Sequence, residues 1–413
     1  MLEGLDKIEW DKLGHAYGPA EDVPDLIRDL ASPDEGVRND AWHALHGNIW
    51  HQGTVYEATA YAAPFFIELL EAPEVLAKHE ILAYLARLST GTSYKAVHSQ
   101  SSLYDKLYGE EMKTAKWQEE LKNELSWVER VKFAVEAGRP LYLEFLKDPA
   151  VDVRDNAAYL LTKLNDTDDK SREQIQHRLE IEKNATVQVS LLLALGKLSE
   201  YNESTHAHLS SFMDSGHPKA VTLAAAIALA DLAPEHVTPE MISRFVEAIR
   251  SPGEWIDFEC SIWADDDTVA AYICLHLRLE AGTGADTMAD ALLPALGTQN
   301  ITQAQAVAKA LLAFVFDTVS GAPFASWPPR QQRVLQAFVA NKQLWGVQSG
   351  NDFVEDVDTM RLMRRFNLPD RFAKLSAFIR GEAPPEMPPL KAVKSGRTVA
   401  RVIKNLGKII KFP

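Results

Sequence analysis

Apolar and small residues recur along the chain at a spacing that places them on one face of a helix. After an aliphatic residue, further apolar or small residues follow four, seven, eight and eleven positions later. The clearest runs begin at Val153, Val187 and Val221, which lie 34 residues apart. Each run predicts a helix with one buried face, and the constant interval predicts a structural repeat.

The same pattern begins at Ala77 and Ala304, and less completely at Val37 and Val269. The interval of 76 residues between Ala77 and Val153 is twice 38, which predicts a degenerate repeat between them. We therefore expect most of the chain to be built from one repeating helical unit.

A shorter apolar helix and a polar turn are predicted before each of these helices, as in residues 24–38 and 139–154. The turns contain Asp-Pro, Ser-Pro or His-Pro, which end one helix and allow the next to be capped. The predicted fold class is therefore all-α, an α-solenoid of stacked antiparallel helix pairs.

The turns carry a resemblance to a known family. Residues 34–38 and, less closely, residues 148–154 match a turn in which an aspartate is shortly followed by Val-Arg. With the periodicity, this resembles HEAT-like helical repeats, including the phycobilisome-lyase type. The chain departs from the family where the arginine is replaced, at Lys78, Gln188, Thr222 and Gln305. The resemblance covers residues 22–380, and it implies a solenoid whose concave surface holds another macromolecule.

The predicted organisation is one HEAT-like solenoid over residues 1–380, interrupted near 89–116 and 251–267. A Pro-rich linker follows over residues 381–396, and a basic amphipathic helix over residues 397–413. The irregular segments are where a particular function is expected, because regular repeats are explained by packing.

Charge narrows the choice of partner. The 413 residues include 43 Lys and Arg against 58 Asp and Glu, a net charge of −15. This balance argues against a surface devoted to nucleic acid or to an anionic membrane, and it favours a basic protein partner. Two cysteines support no disulfide framework, and no leader or apolar span of about 18 residues is present, so we expect a cytoplasmic protein.

The C-terminal residues reverse this charge. Seven basic and no acidic residues follow position 390, whereas residues 1–390 carry a net −22. We expect the predicted C-terminal helix to cap the acidic solenoid; contact with nucleic acid or with an anionic membrane through residues 391–413 is the alternative.

The segment 251–274 combines carboxylates with aromatic residues and lengthens the repeat interval from 34 to 48. One or two carboxylates would serve the N-terminus of the following helix, but the segment holds six. We expect a contact site for a cationic partner here, with a solvated loop as the alternative. The candidate partner-binding residues are Trp255, Asp257, Phe258, Glu259, Trp263, Asp265, Asp266 and Asp267.

A second candidate surface lies at residues 42–59, where one helix ends and another begins. Its residues are His43, His46, Trp50, His51 and Tyr56. The imidazoles could ligate a metal, but no carboxylate completes a ligand triad at a regular spacing, so we favour a packed corner between helices. Capping-box spacing of Thr54 and Glu57 predicts the start of the next helix.

The insertion at 89–116 is polar and contains Tyr94, Tyr104 and Tyr108, which would suit a contact surface. A degenerate repeat with a solvated linker explains it equally well. A helix is predicted from Trp117 onward.

Motifs of known enzymes are missing from the sequence. His79 and Glu80 form its one His-Glu pair, whereas the resemblance to di-iron HEAT-type hydroxylases would require several. No phosphate-binding loop, nucleophile elbow or zinc-protease motif occurs. We therefore expect no catalytic residue, metal or cofactor; an enzyme using a carboxylate or histidine site, or a DNA-processing HEAT-like protein, is the alternative.

The sequence thus predicts a non-enzymatic scaffold that binds a basic protein. HEAT-like proteins occur among bacterial immunity proteins, so the resemblance also implies an immunity or antitoxin-like inhibitor.

Overall fold

The computed structural model describes residues 1–99, 108–164, 169–251, 255, 258, 262–263, 269–276, 284–297, 301–316, 323–349 and 352–382. Over these residues the protein is mostly helical, as predicted, and the strands form three short hairpins. The chain divides into two compact units, unit 1 at Met1–Leu198 and unit 2 at Ser199–Pro413.

Unit 1 is built from helices and two hairpins. Its described helices are α1 Val23–Asp29, α2 Glu35–Asn48, α3 Glu57–Glu71, α4 Lys78–Ser89, α5 Tyr94–His98, α6 Ala115–Glu136, α7 Arg139–Phe145, α8 Val151–Leu161, α9 Lys170–Ile181 and α10 Ala185–Leu198. Its strands are β1 Gly14–His15, β2 Gly18–Pro19, β3 Trp50–His51 and β4 Thr54–Val55, with 3₁₀ turns at Leu5–Lys7, Trp10–Lys12 and Glu111–Lys113.

Consecutive helices of unit 1 pack in pairs. The second helix of each pair packs on the helix before it, in the pairs α1 with α2, α3 with α4, α7 with α8 and α9 with α10. The second helices also pack on one another, α4 on α8 and α8 on α10. Val153, Ala157, Val187 and Leu191 are buried, which confirms the apolar faces that the sequence predicted.

The predicted degenerate repeat between Ala77 and Val153 is wrong, because α4 packs directly on α8. The intervening residues supply the long helix α6, which packs on α3 and α4 instead. The anchor role of Val37 is also wrong. Its side chain is exposed in the first turn of α2, and the buried residues of this helix are Ala41, Trp42 and Leu45.

The position after the repeat anchor has the same structural role in three of the repeats. Arg38, Arg154 and Gln188 each donate from the side chain to the carbonyl six residues earlier, at 2.9, 2.8 and 2.9 Å. The bond ties the start of the second helix to the turn before it. Glutamine at position 188 therefore replaces arginine without loss of the contact.

Unit 2 holds the remaining helices. The described ones are α11 Glu203–Ser211, α12 Lys219–Leu232, α13 Pro239–Arg250, α14 Val269–His276, α15 Ala285–Ala295, α16 Ile301–Val315, α17 Pro329–Ala340, α18 Val357–Arg365 and α19 Phe372–Ile379. The hairpin is β5 Gly346–Ser349 with β6 Asp352–Glu355, and 3₁₀ turns lie at Pro234–His236, Phe324–Ser326 and Lys342–Trp345.

Packing in unit 2 also follows the chain. Helix α12 packs on α11 and α13, α15 on α13 and α16, and α16 on α14 and α17. Gln305 at the start of α16 donates to Asp356 Oδ1 at 2.6 Å and to Thr359 Oγ1 at 3.1 Å, which joins α16 to the residues after the hairpin.

Candidate binding surface

Three irregular segments of unit 1 meet: the β1–β2 hairpin, the β3–β4 hairpin and the start of the 89–116 insertion. Thr92 N–H donates to the Gly53 carbonyl at 2.9 Å, and Val55 N–H donates to the Thr92 carbonyl at 3.0 Å. Ala16 N–H donates to the Asn48 carbonyl at 2.9 Å. These backbone bonds place side chains from distant parts of the sequence on one surface.

The β3–β4 turn is tight. Gln52 and Gly53 have φ of 51° and 88°, the left-handed backbone that such two-residue hairpin turns require. The predicted capping box of Thr54 and Glu57 is wrong, because Thr54 belongs to β4. Helix α3 is instead capped two residues later, where Tyr56 N–H donates to Thr59 Oγ1 at 2.9 Å.

His46 lies in a cage of aromatic rings. Its ring centroid is 4.7 Å from that of Tyr84, 5.7 Å from Trp50 and 6.2 Å from Trp42. Burial, with a smaller contribution from the charge of Arg87, lowers the pKa of His46 to about 4. The imidazole is therefore neutral at physiological pH and acts as a packing group.

Glu80 of the His-Glu pair has a structural partner. Its Oε2 accepts from the Trp42 indole N–H at 2.6 Å, and Tyr84 donates its hydroxyl to the Leu45 carbonyl at 2.9 Å. Both bonds join α4 to α2. In the described residues, no three His, Cys, Asp or Glu side chains are arranged to hold a metal ion.

His43 is exposed on α2, whereas His51 contacts Tyr17 of the β1–β2 turn, a residue that no sequence pattern indicates. Tyr17 packs edge-on to His51, with centroids 5.7 Å apart and 3.5 Å between the phenol oxygen and Nδ1. Tyr17 N–H also donates to His15 Nδ1 at 3.0 Å, while His15 Nε2 donates to Asp22 at 3.2 Å. Tyr17 is 70% exposed despite these supports.

Tyr94 is a second supported and exposed tyrosine. The His98 ring stacks on it at 3.9 Å with an interplanar angle of 27°, and His98 Nδ1 donates to the Tyr94 carbonyl at 2.8 Å. Tyr94 is 42% exposed. The sequence placed Tyr94 on a contact surface but gave no partner for it; Tyr104 lies outside the described residues.

Tyr56 lies between these groups. Burial raises the pKa of Tyr56; the bond to Thr54 opposes the shift, and Glu124, Tyr17 and Tyr94 add to it. Tyr56 follows the β3–β4 hairpin, in which His51 contacts Tyr17 and Val55 N–H donates to the Thr92 carbonyl, so its segment joins those that carry Tyr17 and Tyr94. We call Tyr17, His51, Tyr56, Tyr94 and His98 the tyrosine surface.

The acidic and aromatic segment of unit 2 has a different role from the one expected for its aromatic side chains. Trp255, Phe258 and Trp263 are buried, and the Phe258 ring packs edge-on to Tyr272 at 5.0 Å. They stabilise the interior of unit 2 and cannot act as exposed anchors. The other candidates, Asp257, Glu259, Asp265, Asp266 and Asp267, lie outside the described residues.

A groove of about 890 Å³ runs between α3 and α6 in unit 1. Pro64 and Ile67 line one wall, and Arg130 and Phe133 line the other. Phe133 is 79% exposed, and Arg130 lies over the Tyr61 ring at 4.6 Å. This apolar groove is a second possible contact area.

Two further expectations concern the cysteines and the C-terminal residues. Burial raises the pKa of the Cys274 thiol well above its usual range, which disfavours the thiolate at neutral pH; Cys260 lies outside the described residues. The predicted linker and C-terminal helix also lie outside the described residues, apart from residues 381 and 382. Among the described helices, none has the length and apolar character to cross a bilayer.

Comparison with known proteins assigns no family to this chain. Neither a protein-family model nor a curated protein matches it.

Proposed function

We propose that this protein is a HEAT-like helical-repeat scaffold that binds a protein partner through the tyrosine surface, without catalysis. The observation that carries the proposal is the meeting of three irregular segments at this surface, where exposed tyrosines are held in place by histidines. Tyrosines of this kind bury much area on binding at a small cost in side-chain entropy. The stacking of second helices within unit 1 is consistent with a solenoid.

The proposed partner is basic. The net charge of −15 attracts a cationic protein over long range. Residues 1–40, which include Tyr17 of the tyrosine surface, contain eleven Asp and Glu against four Lys and Arg. A partner of this charge would associate faster than a neutral one.

Inhibition of a toxin is the specific role that we propose within this class, acting in the cytoplasm. Its support is the acidity of the chain together with the resemblance of its repeats to those of immunity-type HEAT proteins. Expression of the protein beside a neighbouring gene product that is toxic alone would test this role, with rescue of growth as the expected outcome.

Binding itself is tested by affinity capture from the source cells with quantitative mass spectrometry. We expect the wild-type chain to retain a basic protein that the double variant Tyr17→Ala, Tyr94→Ala loses. The matched control is Tyr201→Ala, which removes an exposed tyrosine of unit 2 and should retain the partner.

A third variant locates the contact. Phe133→Ala should also retain the partner, because Phe133 lies in the groove between α3 and α6. If Phe133→Ala is the variant that loses the partner, the contact lies in that groove and not on the tyrosine surface. Retention of the partner by every variant would also contradict the proposed surface.

A further inference from the structure

The tyrosine surface includes a platform beside a carboxylate, and together they define what a partner must present. Tyr94 has one ring face covered by His98 at 3.9 Å, so its exposed area lies on the opposite face and the edge. The bond from His98 Nδ1 to the Tyr94 carbonyl fixes this stack. The platform is therefore ordered before any partner binds.

Glu124 of α6 lies next to this platform. Its Oε2 accepts from Ser93 Oγ at 2.7 Å and from Lys95 N–H at 2.8 Å, and these two residues flank Tyr94 in the chain. The carboxylate is thus fixed at the first turn of α5. Within the described part of the chain, its other oxygen, Oε1, accepts no hydrogen bond.

The neighbouring lysine does not neutralise this carboxylate. Lys95 Nζ lies 3.1 Å from Glu120 and 3.8 Å from the centroid of the Trp117 ring. Its ammonium is therefore engaged by a different carboxylate and by an aromatic face. Lys95 therefore forms its ion pair with Glu120 and not with Glu124.

We infer that the tyrosine surface binds an arginine side chain of the partner, with the guanidinium plane stacked on Tyr94 and its N–H groups directed to Glu124 Oε1. This inference rests on the proposed function and names the group that the partner supplies. Guanidinium is planar, stacks on aromatic rings and forms strong hydrogen bonds to carboxylates. A lysine offers no plane to stack, and a nucleotide would bring phosphate next to Glu124.

Fluorescence anisotropy with short labelled peptides at low ionic strength tests this inference on the full chain. The probes are Gly-Arg-Gly-Arg-Gly and the same peptide with citrulline, which keeps the shape of arginine but lacks its charge. We expect the arginine peptide to bind at least about tenfold more tightly than the citrulline peptide. Tyr94→Leu and Glu124→Gln should each remove this difference, whereas Tyr201→Leu should keep it.

Equal binding of both peptides, or no binding of the arginine peptide, would overturn the inference. So would an arginine preference that survives Tyr94→Leu, or preferential binding of a single-stranded oligonucleotide. Circular dichroism of each variant checks the fold. If the captured partner is lost in the Tyr17→Ala, Tyr94→Ala variant while the arginine peptide fails to bind, the proposed function stands and only the arginine assignment falls.

Discussion

His46 shows how a histidine can be excluded from chemistry by its surroundings. Three aromatic rings enclose it, and burial lowers its pKa to about 4. Its two sequence neighbours in the predicted corner differ from it, because His43 is exposed and His51 supports Tyr17. The three histidines of this segment thus differ in their surroundings: His46 is packed among rings, His51 contacts Tyr17, and His43 is exposed.

The depressed pKa predicts a pH dependence of stability. Because the folded state holds His46 neutral while the unfolded chain protonates it near pH 6.5, its contribution is complete above pH 6.5. The contribution should fall by about 1–2 kcal/mol between pH 6.5 and pH 4, allowing for partial exposure. Chemical unfolding at several pH values measures this. His46→Phe should flatten the dependence, and His177→Gln, which changes an exposed histidine, should not; equal slopes in both would contradict the prediction.

Among the carboxylates of unit 1, we expect the loss of Glu182 to lower the free energy of unfolding most. Its side chain is 2% exposed and lies 2.9 Å from Arg154 and 2.6 Å from Arg178. Burial alone would raise its pKa, but the backbone N–H of Asn184 and the two arginines lower the pKa to about 2. Glu182 thus accepts hydrogen bonds from four neighbouring groups, the two arginines and the backbone N–H groups of Lys183 and Asn184.

Glu182→Gln should reduce the free energy of unfolding by about 3 kcal/mol, because it leaves the buried Arg154 without its counter-charge. Thermal and chemical unfolding would measure the change. Glu144→Gln is the matched control, since Glu144 forms an exposed pair with Lys147 and should change stability by less than about 0.5 kcal/mol. A small effect at Glu182 would show that the pair contributes little net stability.

At the scale of elements, helices were predicted well and hairpins were missed. The apolar spacing that begins at Val187 predicts α10 because helix periodicity is visible within about 12 residues of sequence. Strands β1 to β4 have two residues each, too few for an alternating pattern. Gln52-Gly53 is the sequence signal for the β3–β4 hairpin, because its turn requires positive φ at both residues. The capping-box spacing of Thr54 and Glu57 instead predicts a helix at the same place.

The bond from the residue after the repeat anchor to the preceding turn predicts an effect at Gln188. Gln188→Ala should cost about 1 kcal/mol by removing the bond to the Glu182 carbonyl, whereas Gln188→Arg should retain most of the stability, because Arg38 and Arg154 make the same contact. Gln176→Ala, at an exposed position of α9, serves as control. Denaturant unfolding measures all three, and equal stability of Gln188→Ala and wild type would contradict the role.

At the scale of the whole molecule, the candidate site depends on contacts that no local pattern contains. Tyr17, Tyr56 and Tyr94 come from three separate segments, joined by bonds such as that from Thr92 to Gly53. Composition predicts a basic partner, but it does not predict which surface that partner would contact. Trp255 and Trp263 lie in a segment whose composition is typical of a contact site, yet both side chains are buried. Composition does not reveal burial, because burial depends on which other elements pack around a side chain.

The acidity of the chain predicts a salt-dependent encounter. The association rate with the captured basic partner should fall on the order of tenfold from low to physiological ionic strength, while the dissociation rate changes less. Surface plasmon resonance across a salt series measures both rates. An association rate that is insensitive to salt would show that the partner is not steered by charge.

Hydrogen exchange of the complex tests the central claim most directly, since it locates the partner without any substitution. Compared with the free chain, the chain bound to its captured partner should exchange more slowly at residues 14–19, 50–56 and 92–98, where the tyrosine surface lies. Residues of α9 and α10 should be unaffected. Protection confined to the groove between α3 and α6 or to unit 2, with no change in the three segments, would contradict the claim.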